Sequence, residues 1–260
     1  MRHMEKQNPC LIVSGAGGQG VTLLTQLLFE ARIASNSEQQ LAAVMAAEPG
    51  ERSTLGQLYA TTIDFPVIVG IADAFVLADA TGPSFDPLGN LLKHGDVLVD
   101  VSSAAWPTLV QWADASLSEN SSRAVDLLVV VSTADRSLRR AITILRDAEA
   151  LRPLLGICKI GVVFNEAHGP FGHEGPALKA LRGQIETKGY PIIEIEHSYV
   201  YALDDSVSIG RLKASDWETF KKLPGHNEGV KSLDHYDLIQ AWIKKSIEAV
   251  AAAGFAPTAA

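Results

Sequence analysis

The sequence predicts an α/β protein with a mostly parallel, twisted sheet that carries helices on both faces. Three observations indicate this fold class. Apolar runs of strand length alternate with amphipathic stretches of helical length along most of the 260 residues. The first strand-like run, residues 11–13, is β-favouring and uninterrupted, as in a strand buried on both faces. The first run passes through a glycine-rich turn straight into a helix-like repeat, which is typical of a parallel βα unit.

The predicted strands are runs rich in valine, isoleucine and leucine. They cover residues 11–13, 41–47, 96–103, 125–133, 157–164 and 191–201. Residues 61–82 contain one or two further short apolar runs, which we expect to add to the sheet.

Helices are predicted between these strands. The first follows Gly20 and ends near residues 34–37, where polar residues and turn formers gather. Pro107 suits the first turn of a helix over Ala104–Leu117. Glycines close two further helices over 85–95 and 174–188, and long helices are predicted over 135–156 and 235–255.

The chain is predicted to form one domain, because it contains no repeat, low-complexity tract or linker. We place an N-terminal tail at residues 1–9, the domain at 10–253 and a C-terminal tail at 254–260. The polar N-terminus lacks the apolar core of a secretion signal, and no apolar run reaches the roughly 20 residues that span a bilayer. A cytoplasmic location is expected.

The charge and the cysteine content of the chain disfavour several classes of function. A formal net charge of −8 disfavours direct binding to nucleic acid or to anionic lipid. The only two cysteines, Cys10 and Cys158, lie in apolar runs and are predicted to be buried, reduced thiols.

Four glycines between the first strand and the first helix form the most informative stretch, CLIVSGAGGQGVTLL. Glycine tolerates positive φ angles and removes side-chain bulk, so successive backbone N–H groups can surround an anion at the helix N-terminus. Gly15, Gly17 and Gly20 satisfy the dinucleotide pattern G-x-G-x-x-G. Gly15, Gly20 and Thr22 satisfy the triphosphate pattern G-x-x-x-x-G-K-[ST], except that Val21 replaces lysine.

Polar residues at three strand ends extend this candidate site. Glu48 follows the second strand, which we expect beside the first, and so lies at the crevice where parallel sheets bind ligands. Asp100 ends another strand at a position that commonly faces a metal ion in triphosphate-binding folds. Asn165 ends the strand over 157–164.

Four stretches of the chain, in the order in which they follow one another, resemble motifs of the ParA/MinD family of deviant Walker A P-loop ATPases, of the SIMIBI class. They are AGGQGVT at 16–22, AAEPGE at 46–51, DVLVDVSSA at 96–104 and GVVFNEAHG at 161–169.

The resemblance implies a single-domain P-loop NTPase-like fold that binds ATP or ADP with Mg²⁺. It places Gly15, Gly17, Gly18, Gly20, Val21 and Thr22 around the phosphates. It implies that Glu48 is catalytic and positions water. It also implies that Thr22 and Asp100 bind the metal and that Asn165 contacts the adenine. It also implies protein partners, a homodimer, and membrane contact only through partners or the C-terminal helix.

Departures from the family pattern predict weak or absent hydrolysis. Ala16 and Val21 occupy the positions of the family's two lysines, so the loop supplies no cation to the phosphates. We therefore expect a pseudo-ATPase that acts as a positioning or scaffold factor, in plasmid partition, conjugation, cell division or envelope assembly.

A second hypothesis is a Rossmann-like NAD(P)-binding oxidoreductase. The GAGGQG loop also resembles the loop that opens the gamma subunit of 2-oxoacid oxidoreductases. Glu48 lies 28 positions after Gly20, however, where about 20 is usual for the ribose-binding acid.

Three other groups are interpreted without a catalytic role. Arg136, Arg139 and Arg140 are expected on a solvated helix face. His168 and His173, with neighbouring glutamates, are expected in a polar surface loop rather than a metal site. The apolar stripe of the C-terminal helix is expected to pack on the sheet, with members Leu238, Trp242, Ile243, Ile247 and Val250.

Overall fold

The computed structural model describes residues 7–34, 39–46, 52–67, 85–94, 96–117, 124–172, 174–198, 207–223 and 232–257. These residues form a single α/β domain around a seven-stranded sheet in which all paired strands are parallel. The predicted fold class is confirmed.

The strands of the sheet lie in the order β3-β2-β4-β1-β5-β6-β7. Their bounds are β1 Cys10–Ser14, β2 Gln40–Ala46, β3 Ile63–Val67, β4 Val97–Val101, β5 Val125–Val131, β6 Ile157–Asn165 and β7 Ile192–Ile195.

Nine α-helices lie in the described part of the chain. Their bounds are α1 Val21–Ile33, α2 Thr54–Leu58, α3 Asp86–His94, α4 Trp106–Ser116, α5 Asp135–Leu155, α6 Pro176–Lys188, α7 Ile209–Ala214, α8 Trp217–Phe220 and α9 Leu233–Ala252. A short 3₁₀ helix covers Glu166–His168, directly after β6.

Two hydrophobic layers cover the sheet, because successive strand residues face opposite sides. Leu11 and Val13 of β1 pack with α3, α4, α5 and α6 on one face. Cys10 and Ile12 pack with α1, α7, α8 and α9 on the other. The central strands β1, β4 and β5 are buried along their whole length, which explains why their sequences are apolar apart from Ser14, Asp100 and Asp126.

The order of the strands corrects one expectation about the site. We expected β2 beside β1, but β2 pairs with β3 and β4, and β4 lies between β2 and β1. Strand order depends on long-range pairing, which local patterns do not encode.

Four local predictions also differ from the structure. Short helices α2, α7 and α8 were not predicted, because each is at most six residues long and shows no full helical repeat. The last strand ends at Ile195, well before residue 201. Cys158 is exposed, and its thiol donates to the Asp126 carboxylate at 3.1 Å. Leu238 is 59% exposed, because the buried stripe of α9 runs through Ile239 and Ile243 instead.

Close packing between β6 and the C-terminus leads to a first prediction. A Cβ atom at Gly161 would lie 2.7 Å from two ring atoms of Phe255 and 3.0 Å from Leu128. We expect Gly161→Ala to displace the buried Phe255 ring and lower the free energy of unfolding by about 1–3 kcal/mol, measured by urea denaturation.

Gly183 on helix α6 is the matched control, because a Cβ there meets nothing within 4 Å. Gly183→Ala should be neutral or stabilising by up to about 1 kcal/mol. Equal effects of the two substitutions would contradict the packing argument.

Candidate phosphate-binding site

A cleft of about 600 Å³ opens at the carboxyl ends of the strands. Residues 17–23 form one wall, and the segments after β4 and β6 form its floor. Leu58, His197 and Trp242 lie on the remaining sides. In open parallel sheets this end of the strands is where ligands bind.

The loop between β1 and α1, residues 15–20, requires glycine at two positions for steric reasons. A Cβ at Gly15 would lie 2.5 Å from the Ser137 carbonyl oxygen, so the loop passes directly against α5. Gly20 has φ +87°, and a Cβ there would lie 2.2 Å from Asn165 Nδ2.

Side chains hold the carbonyl groups of four successive loop residues. The pairs are Ser14 Oγ to Ala16 O at 2.7 Å, Gln19 Nε2 to Gly17 O at 3.1 Å, His168 Nε2 to Gly18 O at 3.0 Å, and Asn165 Nδ2 to Gln19 O at 2.8 Å. The Ser132 hydroxyl in turn donates to the Gln19 side-chain oxygen. The loop is therefore braced from three sides.

The backbone N–H groups of residues 16–22 make no hydrogen bond of good geometry to another residue in the described ranges, although residues 17–18 form a turn. Their carbonyl groups are occupied while their donors are not, and they precede the N-terminus of the 13-residue helix α1. Unpaired N–H groups at a helix N-terminus attract anions through hydrogen bonds and the helix dipole. The loop thus offers a site for phosphate.

Thr22 and Asp100 form a direct contact beside this loop. The Thr22 hydroxyl, in the first turn of α1, donates to Asp100 Oδ2 at 2.6 Å. Asp100 lies near the end of β4, next to β1. The two residues are 78 positions apart in the chain, so only the sheet brings them together. Hydroxyl and carboxylate oxygens are ligands that Mg²⁺ prefers.

Burial raises the pKa of Asp100 from 3.8 to about 6, and the hydrogen bond from Thr22 opposes this rise. A carboxyl group that is costly to ionise, and whose hydrogen-bond donor among the described residues is the Thr22 hydroxyl, suits a cation as its partner.

Asn165 lies at the floor of the cleft and is only 3% exposed. Its Nδ2 donates to the Gln19 carbonyl, and its Oδ1 accepts from the Ala167 backbone N–H at 3.2 Å. The base contact that the family resemblance implies for Asn165 stays a prediction.

Positive charge is scarce around the cleft. Among the described residues that line it, Asp100 and Glu196 are acidic and none is lysine or arginine. Val21 is buried at the start of α1, and Ala16 is partly exposed. Arg136, Arg139 and Arg140 are exposed and do not line the cleft, and Arg139 pairs with Asp135 at 2.6 Å.

Two residues considered in the sequence, Glu48 and His173, lie outside the described residues. The described residues contain no group of three or more histidine, cysteine or acidic side chains that could hold a metal ion. None of their helices is long and apolar enough to cross a membrane.

The sequence did not point to Ser14, Gln19, Ser132 or Trp242 as members of the site. Serine and glutamine are common in loops, and Trp242 was assigned to the packed stripe of the C-terminal helix. His168 was considered only as a metal ligand. The sequence contains a partial indication that His168 belongs to the site, because it lies three residues after Asn165, which ends a predicted strand.

Comparison with models of protein families finds no match, and comparison with curated proteins finds none. Several solved structures have a similar chain path. A ParA family ATPase from Chlorobium tepidum has 13% identity and a TM-score of 0.47, covering 93% of this chain and 99% of that one. The MinD cell division protein from Aquifex aeolicus has 16% identity and a TM-score of 0.43, covering 91% and 97%.

A nucleotide-binding protein from Archaeoglobus fulgidus, in complex with ADP, has 14% identity and a TM-score of 0.37, covering 93% of this chain and 88% of that one. These values describe similarity of fold and assign no activity to the chain.

The geometry of the chain itself defines its class. A parallel strand, a glycine loop with free N–H groups, and a helix whose Thr22 meets an aspartate on the adjacent strand are the elements of a P-loop nucleotide-binding fold. In the Rossmann order 3-2-1-4-5-6, the second strand lies beside the first. Here β4 separates β2 from β1, so the dinucleotide interpretation loses its structural basis.

The buried carboxyl group of Asp100 leads to a second prediction, on stability against pH. Its pKa is higher in the folded than in the unfolded state, so the folded state binds more protons between about pH 4 and 6 and stability falls as pH rises through this range. Asp100→Asn removes the penalty. We expect it to raise the free energy of unfolding by about 3 kcal/mol at pH 8, and to have little effect at pH 4.

Urea denaturation at several pH values measures this difference. Asp114→Asn on the exposed side of α4 is the control and should leave the pH dependence unaltered. A destabilising effect of Asp100→Asn at pH 8 would show that the ionised carboxylate contributes to folding.

Proposed function

We propose that this chain is a ParA/MinD-like protein that binds ATP or ADP with Mg²⁺ and hydrolyses ATP weakly or not at all. It acts by binding protein partners as a positioning or scaffold factor. The observation that carries the proposal is the 2.6 Å hydrogen bond between Thr22 and Asp100, beside a loop whose backbone N–H groups have no partner among the described residues.

Nucleotide binding needs only what the loop provides. The N–H groups of residues 16–22 and the N-terminus of α1 bind phosphate oxygens without a charged side chain. Thr22 and Asp100 would hold Mg²⁺, which would neutralise phosphate charge there. We also propose that the segment from Gly15 to Gly20 is a deviant Walker A loop and that its glycines surround the phosphates.

Hydrolysis needs more than binding. Charge that develops on the transferred phosphoryl group is normally stabilised by a lysine in the loop and by further cations, and one such cation contributes roughly 10³–10⁵ in rate. Ala16 and Val21 supply none, and the described lining of the cleft has a net negative charge. We therefore infer that bound nucleotide acts mainly as a structural ligand.

The proposed partner-binding role rests on the similarity of fold and on the proposed loss of ATP hydrolysis. One solved structure with a similar chain path contains MinD in complex with MinC. We extend to this chain the proposals of protein partners and a homodimer, in plasmid partition, conjugation, cell division or envelope assembly. We do not propose direct binding of nucleic acid for this chain, because its formal net charge of −8 disfavours contact with phosphate backbones.

Ligand-dependent stability tests the binding proposal. We expect Mg-ADP and Mg-ATP to raise the free energy of unfolding by about 2.7 kcal/mol at 100 times the dissociation constant, measured by thermal shift and confirmed by calorimetry. Gly20→Ala, which places a Cβ at positive φ against Asn165, should abolish the effect. Stabilisation by NAD or NADP alone would overturn the proposal in favour of the oxidoreductase hypothesis.

Restoration of the loop cations tests the proposed loss of hydrolysis. We expect Ala16→Lys combined with Val21→Lys to raise ATP turnover at least about a hundredfold over the natural chain, because each cation stabilises transition-state charge. Arg136→Lys, on the exposed face of α5, is a control that should not raise turnover. A doubly substituted chain that binds Mg-ATP but stays inactive would argue against Asp100 and Glu48 as remnants of a catalytic site.

A further inference from the structure

Asn165 occupies an unusual position for a residue expected to read a base. It is almost fully buried, and both ends of its amide already bond to the protein. Gln19 O can only accept and Ala167 N–H can only donate, so these two partners also fix which end of the amide is nitrogen. The amide is therefore oriented before any ligand binds.

The segment 165–168, which we name the β6 brace, contacts the phosphate loop at two neighbouring points. Asn165 donates to the Gln19 carbonyl and His168 Nε2 bonds to the Gly18 carbonyl. Because that carbonyl can only accept, His168 Nε2 carries the proton. The 3₁₀ turn of residues 166–168 sets the spacing, and the Asn165 side chain caps this turn through Ala167.

The contact between loop and brace is also steric. The absence of a side chain at Gly20 is what lets Asn165 Nδ2 approach the loop, since a Cβ would lie 2.2 Å from it. Hydrogen bonds at Gly18 and Gln19 hold two carbonyl groups, and their N–H groups stay available for an anion. The loop is thereby pre-organised, which lowers the entropy cost of binding phosphate.

We propose that Asn165 and His168 are positioning residues that fix the phosphate loop. The inference rests on the proposed nucleotide-binding function and specifies its ligand class: the site recognises the polyphosphate group, so adenine and guanine nucleotides and inorganic pyrophosphate depend on Asn165 equally.

Binding of three magnesium-loaded probes tests this ligand class. We expect Asn165→Ala to weaken Mg-ADP, Mg-GDP and Mg-pyrophosphate by the same factor, about tenfold, in titration calorimetry. His168→Ala, at an exposed position, should weaken all three by a smaller common factor. Glu166→Gln in the same turn is the control and should change none. Weakening confined to Mg-ADP would overturn the inference and make Asn165 a base contact.

A second measurement is independent of ligand, so that it stays decisive if none of the probes binds. Asn165→Asp keeps the acceptor for Ala167 N–H but loses the donor to Gln19 O, and is nearly the same size. Backbone ¹⁵N order parameters of Gly17, Gly18 and Gly20 should be near 0.85 in the natural chain and fall below about 0.6 in this variant.

Unchanged order parameters in a folded Asn165→Asp variant would overturn the brace. Failure of all probes to bind the natural chain, together with a loop that loosens in Asn165→Asp, would refute the proposed function and leave the brace standing.

Discussion

The hydrogen bond between Thr22 and Asp100 is the contact on which the site depends. It joins the first turn of α1 to the end of β4, and it requires β4 to lie directly beside β1. That strand order also places β2 one strand further from the loop than a dinucleotide-binding fold would. One contact thus relates the topology of the sheet to the chemistry of the cleft.

The same contact carries a cost in stability. Asp100 is buried among β-strands, and the raised pKa shows that the surroundings disfavour its ionised form. Folding alone would favour a neutral side chain there. Retention of a costly carboxylate beside a free set of N–H donors is understandable if the site is used, because active and binding sites commonly sacrifice stability for function.

The cleft combines backbone N–H donors suited to an anion with very little positive charge among its described lining residues. Side chains from β1, from the loop itself and from the end of β6 hold the carbonyl groups of the loop, whereas lysine is missing at both loop positions where the pattern of the ParA/MinD family has it. Backbone dipoles suffice to bind phosphate in its ground state, but transition-state stabilisation needs charge placed where new charge develops. The geometry therefore supports binding better than catalysis.

The sequence by itself determined the fold class, most strands and long helices, the glycine loop and the strand-end residues Asp100 and Asn165. These follow from local patterns: apolar runs, helical periodicity and glycine spacing within a few residues. Short helices such as α7 could not be predicted, because six residues are too few to show a helical repeat of apolar side chains. Only the tertiary structure decided that β4 separates β1 from β2, and that Asn165 and His168 hold the loop. Those bonds join residues 146 and 150 positions apart, and pairing over such distances depends on the packed sheet.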